Sequence, residues 1–256
     1  MDLKAVIKGR YRGIATFSDV HAHAEKLKAG IAYAVQNDLF MVFLGDLVDG
    51  HDQPLETVVA VRAILDENRG VMVVGNHDDK FYRHALGNPV QFKKAQKKTL
   101  ADVPKGQHDL FFDTIVSIVE HRNSGNLWRY DNWVFTHGAC HAEVWGSPPA
   151  LSKEAKHRAL YGEVTGGQEE DGMPVRIYNW VEDIPADHNV VVGHDRKPYG
   201  GEALAKRGPY AQTNQAGGRV FFTDTGCGKS DDGTLTLTVL LINTEGRLEL
   251  VGHESI

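Results

Sequence analysis

The chain is poor in cysteine. Its 256 residues hold two, Cys140 and Cys227, too few for a disulfide framework or a cysteine-based zinc site. That usage points to the reducing cytoplasm. Long hydrophobic runs are also missing. No apolar stretch approaches the roughly 20 residues of a membrane-spanning helix. The first twelve residues carry Lys4, Lys8, Arg10 and Arg12 without the apolar core of a signal peptide. No membrane partner is expected. An excess of positive charge is the third absence. Lys and Arg number 28 against 34 Asp and Glu, a formal charge of −6, so stable nucleic-acid binding is not expected. No internal repeat or low-complexity segment interrupts the chain. Its 41% apolar and 24% charged residues are ordinary for a globular protein, and its length suits one large α/β domain or two small ones.

What the chain does have is a recurring pattern. Six times a short apolar run ends in a residue able to bind metal or act in catalysis. Residues 14–17 lead into Ser18-Asp19-Val20-His21, and 40–44 into Gly45-Asp46. Residues 71–74 lead into Gly75-Asn76-His77-Asp78, and 133–135 into Thr136-His137-Gly138. Residues 190–192 lead into Gly193-His194-Asp195, and 220–222 into Thr223-Asp224. Runs of this length, rich in Val, Ile and Phe and closed by Gly or a small polar residue, read as buried strands. In open α/β sheets ligands sit beyond the carboxyl ends of the strands. The pattern therefore gathers Asp, Asn and His around one rim.

The first eighty residues alternate: strands at about 14–18, 40–44 and 71–74, helices at about 23–37 and 54–67. This βαβαβ order predicts a parallel sheet with right-handed crossovers. Residues at about 80–122 read as a helical insertion. Its Lys93, Lys94, Lys97 and Lys98 are first of all a solvated helix face, and alternatively a patch that attracts an acidic substrate. Residues 144–188, rich in Gly, Pro and charge, read as a mostly irregular connection with one helical piece near 151–160. The remainder is β-rich, with strands at 190–193, 219–223, 234–243 and 247–251. Two packed sheets with helices outside are expected, in a single domain over 1–256.

Alone, a strand-end His is more often a satisfied polar residue, and a Gly-Asp pair more often a turn. Several of them at successive strand ends make a candidate ligand set: Asp19, His21, Asp46, Asn76, His137 and His194. Asp46 follows the adjacent strand and is able to bridge two ions. Two carboxylates cancel two of the four charges on a pair of divalent ions, leaving a cationic site for an anionic phosphate. Mixed nitrogen and oxygen donors suit Mn²⁺ first, with Fe, Co, Zn or Ni as alternatives, and disfavour Ca²⁺. His77 beside Asp78 is a candidate general acid, the carboxylate orienting the ring and raising its pKa. Asp224-Thr225-Gly226 is either a turn held by the Asp side chain or a support of the metal ligands. Gly228-Lys229-Ser230 is not a phosphate-binding P-loop: position 223 is Thr, and no helix follows.

Taken in order, Ser-Asp-Val-His, Gly-Asp-Leu-Val-Asp, Gly-Asn-His-Asp, Thr-His-Gly and Gly-His-Asp resemble the motifs of calcineurin-like metallophosphatases of the phosphoprotein phosphatase (PPP) type. The likeness runs from Asp19 to about Gly228. Two bacterial branches come nearest: asymmetric bis(5′-nucleosyl)-tetraphosphatases and the phosphatase module of polynucleotide kinase-phosphatases. Both share a segment like Leu160-Tyr161-Gly162-Glu163-Val164-Thr165-Gly166 followed by Asp171-Gly172-Met173-Pro174-Val175-Arg176. The resemblance implies two β-sheets flanked by helices, with two metals at one edge. Asp19, His21 and Asp46 would hold one metal, and Asp46, Asn76, His137 and His194 the other. His77 would be the acid and Asp78 its partner. Arg83 would touch the phosphate, or else be a solvated helix arginine.

The sequence departs from that pattern in three places. Gly50 stands where many relatives carry a phosphate-gripping Arg, Ala22 where Gly is common, and Asp195 where Thr is typical. The expectation is a metal-dependent phosphoesterase in which a metal-bridged hydroxide attacks phosphorus. Dinucleoside polyphosphates are the first substrate expected, then phosphoserine, phosphothreonine or phosphotyrosine in proteins, then polynucleotide ends. A protein that binds phosphorylated ligands without turnover is the alternative of a different class.

Overall fold

The computed structural model describes residues 2–148, 150–168, 174–229 and 233–256. After a single helical turn, α1 (Lys4–Ile7), the chain forms β1 (Gly13–Phe17), α2 (Ala24–Gln36), β2 (Leu39–Phe43), α3 (Pro54–Asp66) and β3 (Gly70–Val73). Each lies within one or two residues of its expected place. Pro54 starts α3, where a missing backbone donor costs nothing. Three helices follow: α4 (Asn76–Ala85), α5 (Lys94–Asp102) and α6 (His108–Val119). Then come β4 (Ser124–Gly125), β5 (Leu127–Tyr130) and β6 (Trp133–Thr136), α7 (Lys153–Tyr161), and the strands β7 (Glu163–Gln168), β8 (Pro174–Ile177) and β9 (Asn189–Val192). A short α8 (Leu204–Arg207) precedes β10 (Tyr210–Thr213), β11 (Arg219–Phe222), β12 (Thr236–Ile242) and β13 (Leu248–Ser255).

The strands make two main sheets, ordered β13-β12-β1-β2-β3-β4 and β10-β11-β9-β6-β5. The pairs β1/β2 and β2/β3 are parallel in the first, as are β6/β9 and β9/β11 in the second. Burial explains why these strands read as unbroken apolar runs. Along β2, Phe40 and Val42 point between the sheets, where they meet Trp128, Phe135, Val191 and Phe221. Leu39, Met41 and Phe43 point the other way, onto Leu27, Val58, Phe81 and Phe111 of the helices. Both faces of the strand are covered, so no polar alternation survives. The second sheet turns Val134, Val190 and Phe222 outward under Val144, Trp180 and Leu204. The result is the expected two-sheet sandwich with helical cover.

The stretch at 80–122 folds as helices, and Phe81, Phe111, Ile115 and Ile118 enter the same core cluster as Val58 and Leu65. The stretch at 144–188 is less irregular than expected. Besides α7 it carries an antiparallel pair, β7 with β8, and short 3₁₀ turns at Ala142–Gly146 and Asn179–Asp183. β7 is mostly exposed and contains two glycines, so no apolar alternation marked it. The edge strand β10, four residues with only Tyr210 large and apolar, gives too short a pattern to read. Asp171, Gly172 and Met173 of the shared segment, and Ser230, lie outside the described residues.

Candidate metal and catalytic centre

Strand ends from both sheets converge at one edge of the sandwich. β1 delivers Asp19 and His21, β2 delivers Asp46 and Asp49, and the β3–α4 junction delivers Asn76, His77 and Asp78. β6 delivers His137, and β9 delivers His194. The loops turn sharply there. Asp19, His21, Asp46, Asp49 and His194 take φ values of +47°, +47°, +52°, +68° and +65°. Few residues other than glycine adopt this region, and each costs of order 1 kcal/mol. Surrounding bonds hold them there: the Asp19 carboxylate accepts the His194 N–H at 2.9 Å and the Ser18 hydroxyl. Gly193 passes so close to the Asp19 carboxylate that no side chain fits.

The ligand atoms form two groups, Asp19–His21–Asp46 and Asp46–His137–His194, each within 4.8 Å. Asp46 belongs to both. Asn76 Oδ1 lies 3.1 Å from His137 Nε2, which brings its amide to the second group. The far side of each imidazole is pinned by a backbone carbonyl. His21 Nδ1 faces Val48 O at 2.8 Å, His137 Nδ1 faces Leu44 O at 2.6 Å, and His194 Nε2 faces Tyr161 O at 3.1 Å. With its far nitrogen donating to that carbonyl, each ring keeps its inner nitrogen as the donor atom for a metal. All six candidate ligands are thus brought together.

Charge balance tests whether cations fit this pocket. Burial, then the facing Asp46 carboxylate, pushes the Asp19 pKa well up. Burial, then Asp19, does the same to Asp224. Burial, then neighbouring Lys229 and His77, pushes His21 well down; burial, then His137 and Arg176, pushes His194 well down. Clustered buried carboxylates that resist ionisation beside neutral imidazoles are what divalent cations relieve, because metal takes both groups deprotonated. The donor set fits two such ions.

Asp78 is not the partner of His77, which corrects the sequence reading. It is the third residue of α4, and its carboxylate turns back into the loops. It accepts from Asp46 N at 2.8 Å, Leu47 N at 2.9 Å and Gly75 N at 3.1 Å. Adjacent positions on a helix face different directions, so sequence neighbours are poor partners here. The His77 ring instead bonds Asp49: Nδ1 to Oδ2 is 2.6 Å. Asp49 is fully buried and is held from α5 as well, accepting the Thr99 hydroxyl at 2.6 Å and the Gln96 amide. Burial opposes charge on both partners, yet the pair prevails. The His77 hydrogen bond and charge, with Thr99 and Gln96, hold Asp49 below its ordinary pKa, while Asp46 and Asp49 raise His77. Asp49 was visible as the second Asp of Gly-Asp-Leu-Val-Asp but carried no role.

Arg83 is exposed on α4 and pairs with Asp79, Nε to Oδ2 at 2.7 Å, one turn away. Its reach to the centre is limited to the Tyr161 hydroxyl at 3.4 Å. Other cations bear on the site more directly. Arg176 acts on His194 and sits 3.7 Å from Asp195. Lys229 acts on His21 and His77, and Arg196 on His21 and Asp224. Asp224 closes the turn expected of it, accepting Gly226 N at 2.9 Å, and its charge also faces Asp19.

Comparison with known proteins places this geometry. The sequence model of a family described as calcineurin-like phosphoesterase matches residues 13–225. An asymmetrical bis(5′-nucleosyl)-tetraphosphatase PrpE from Halalkalibacterium halodurans is 29% identical over 157 residues, which cover 60% of this chain and 62% of that one. The enzyme of the same name from Bacillus subtilis is 26% identical over 190 residues, covering 69% and 76%. The solved structure of a metallophosphoesterase from Sphaerobacter thermophilus superposes with a TM-score of 0.55 at 15% identity, covering 95% of this chain and 87% of that one. That last likeness speaks for the fold alone.

Proposed function

Since the chain belongs to the calcineurin-like phosphoesterase family, we propose that it is a two-metal phosphoesterase of the PPP type that hydrolyses dinucleoside polyphosphates. The observation that carries this reading is Asp46, the one carboxylate common to both ligand groups. Bound there, two divalent ions, Mn²⁺ foremost, supply the charge that activates a water for attack and steadies the phosphoryl oxygens. Asp19 and His21 would hold one ion and Asn76, His137 and His194 the other, with Asp46 common to both ligand groups.

His77 supplies the proton. Its Nδ1 is bound to Asp49, and its Nε2 lies 3.7 Å from Asp46 Oδ2, on the side of the centre. Against burial, the Asp46 and Asp49 carboxylates favour the protonated ring, which as imidazolium would give its Nε2 proton to the leaving oxygen. Asp49 keeps the ring oriented and stabilises its charge. Asp78 shapes the β2 loop through the backbone of Asp46 and Leu47. The substrate class follows from the tetraphosphatase names of two relatives. The substrate is a small phosphorylated molecule and the setting the cytoplasm, which suits the two free, buried cysteines. No helix among the described residues is long and apolar enough to cross a membrane.

The test is turnover on dinucleoside tetraphosphate, a phosphopeptide and 3′-phosphorylated DNA, each with Mn²⁺. The proposal expects the highest kcat/KM on the first. A higher value on the phosphopeptide would make the chain a protein phosphatase. No turnover of any of these, nor of nitrophenyl phosphate, by folded and metal-loaded protein would leave only phospho-ligand binding.

A further inference from the structure

Beside the metal centre lies a cavity of about 460 Å³, lined by Lys26, Lys98, Lys229, His23, His51 and Asp52, with Gly50 and Gly228 in its wall. The wall is shared with the metal centre. A Cβ on Gly50 would stand 2.5 Å from Gly228 O and 2.8 Å from His21 Cβ, so the loop after β2 and the turn after β11 touch without room for a side chain. Lys229 follows directly, in a turn closed by its N–H on Gly226 O at 3.1 Å. Its half-buried ammonium lines the cavity and lies within electrostatic reach of the Asp46 and Asp49 carboxylates. On the opposite rim, Lys98 Nζ reaches Gly50 O at 3.1 Å and Asp102 at 2.6 Å. Lys26 Nζ reaches Gly233 O at 2.5 Å. Each ammonium has three donors, so both keep capacity for a further acceptor. The rings of His23 and His51 stack at 4.1 Å beside them.

From this arrangement we infer a second phosphate subsite: the cavity takes the phosphate groups next in the chain to the one at the metal centre, with Lys229 between the two. This rests on the proposed phosphoesterase reading and narrows it to oligophosphate anions. A single phosphate fills only the metal centre. A chain of two or more phosphates carries its remaining charge past Lys229 toward Lys26 and Lys98. Three ammonium groups line it among the described residues, with Asp52 beside them and Asp102 paired to Lys98. The cations the phosphate needs thus come from a turn and two helices, and none comes from position 50.

Calorimetry tests this on the protein with free Mn²⁺ buffered, so that the chelating anion does not strip metal from the centre, and with each titration corrected by a protein-free blank. Inorganic tripolyphosphate should bind at least about tenfold tighter than orthophosphate. A Lys26→Gln/Lys98→Gln double variant should lose about tenfold for tripolyphosphate while keeping its orthophosphate affinity, its metal content and its kcat/KM on nitrophenyl phosphate. Lys229→Gln should weaken both anions, and Lys229→Arg should restore both. Equal binding of the two anions by the wild type, or tripolyphosphate binding unchanged in the double variant, overturns the subsite. If tripolyphosphate binds as expected but dinucleoside tetraphosphate is not hydrolysed, the subsite stands and the substrate assigned above falls.

Discussion

Replacing Asp49 by Asn tests the acid pair more sharply than replacing His77. The substitution keeps the volume of the side chain and suits the positive φ of that position, where Asn is tolerated as well as Asp. What it removes is the charge opposite His77 Nδ1, at 2.6 Å. Asp49 is fully buried, so water does not screen the loss. A hydrogen bond to a charged group contributes about 1.5–3 kcal/mol. At one decade per 1.36 kcal/mol, that corresponds to a fall in kcat/KM of about ten- to a hundredfold. The fall should depend on the leaving group. Nitrophenolate departs without a proton, so nitrophenyl phosphate turnover should fall by less than about threefold. Phenyl phosphate, whose leaving phenolate is strongly basic, should show the full effect, and dinucleoside tetraphosphate, whose leaving phosphate is about as weakly basic as nitrophenolate, should show the smaller one. The assay is kcat/KM on the three substrates at saturating Mn²⁺, with metal content measured by mass spectrometry. An equal loss on all three, or none on any, would refute the idea that Asp49 acts by charging His77.

Two further outcomes follow from the same geometry. Asp46→Asn removes the carboxylate common to both ligand groups, so metal content should fall below two ions per chain and activity by at least about a hundredfold. Retention of both ions would show that Asp46 does not join the sites. Burial pushes Cys140 and Cys227 up to about 12. At pH 8 the thiolate, the reactive form, is then about one part in ten thousand. Native protein should release no chromophore from an aromatic disulfide reagent within minutes, and denatured protein should release two equivalents. One equivalent from the native chain would contradict the burial.

The sequence reported the fold well because both faces of the central strands are covered. Runs such as 40–44 have no polar interruption to blur them, and such runs end next to the candidate ligands Asp46, His137 and His194. It reported poorly wherever tertiary contact decides. Asp78 looked like the partner of His77 because it is the next residue; the helix aims the two apart and leaves the place to Asp49, 28 positions earlier. Lys229 was set aside with an unmatched phosphate-loop motif, and only packing of Gly228 against Gly50 and His21 brings it to the centre. The β7–β8 hairpin is illegible because β7 is mostly exposed and contains two glycines, while β8 is a half-buried four-residue strand that opens on a proline.

The anchoring of Asp49 by Thr99 and Gln96 has a consequence for how such a protein could diversify. In the proposed mechanism the ions would be held by the sandwich, whereas Asp49, the partner of His77, is anchored from a helix outside it. Sequence drift in α5 can therefore reset which leaving groups are handled without disturbing the inorganic core, and a single chassis could serve chemically distinct phosphates by exchanging one short cap.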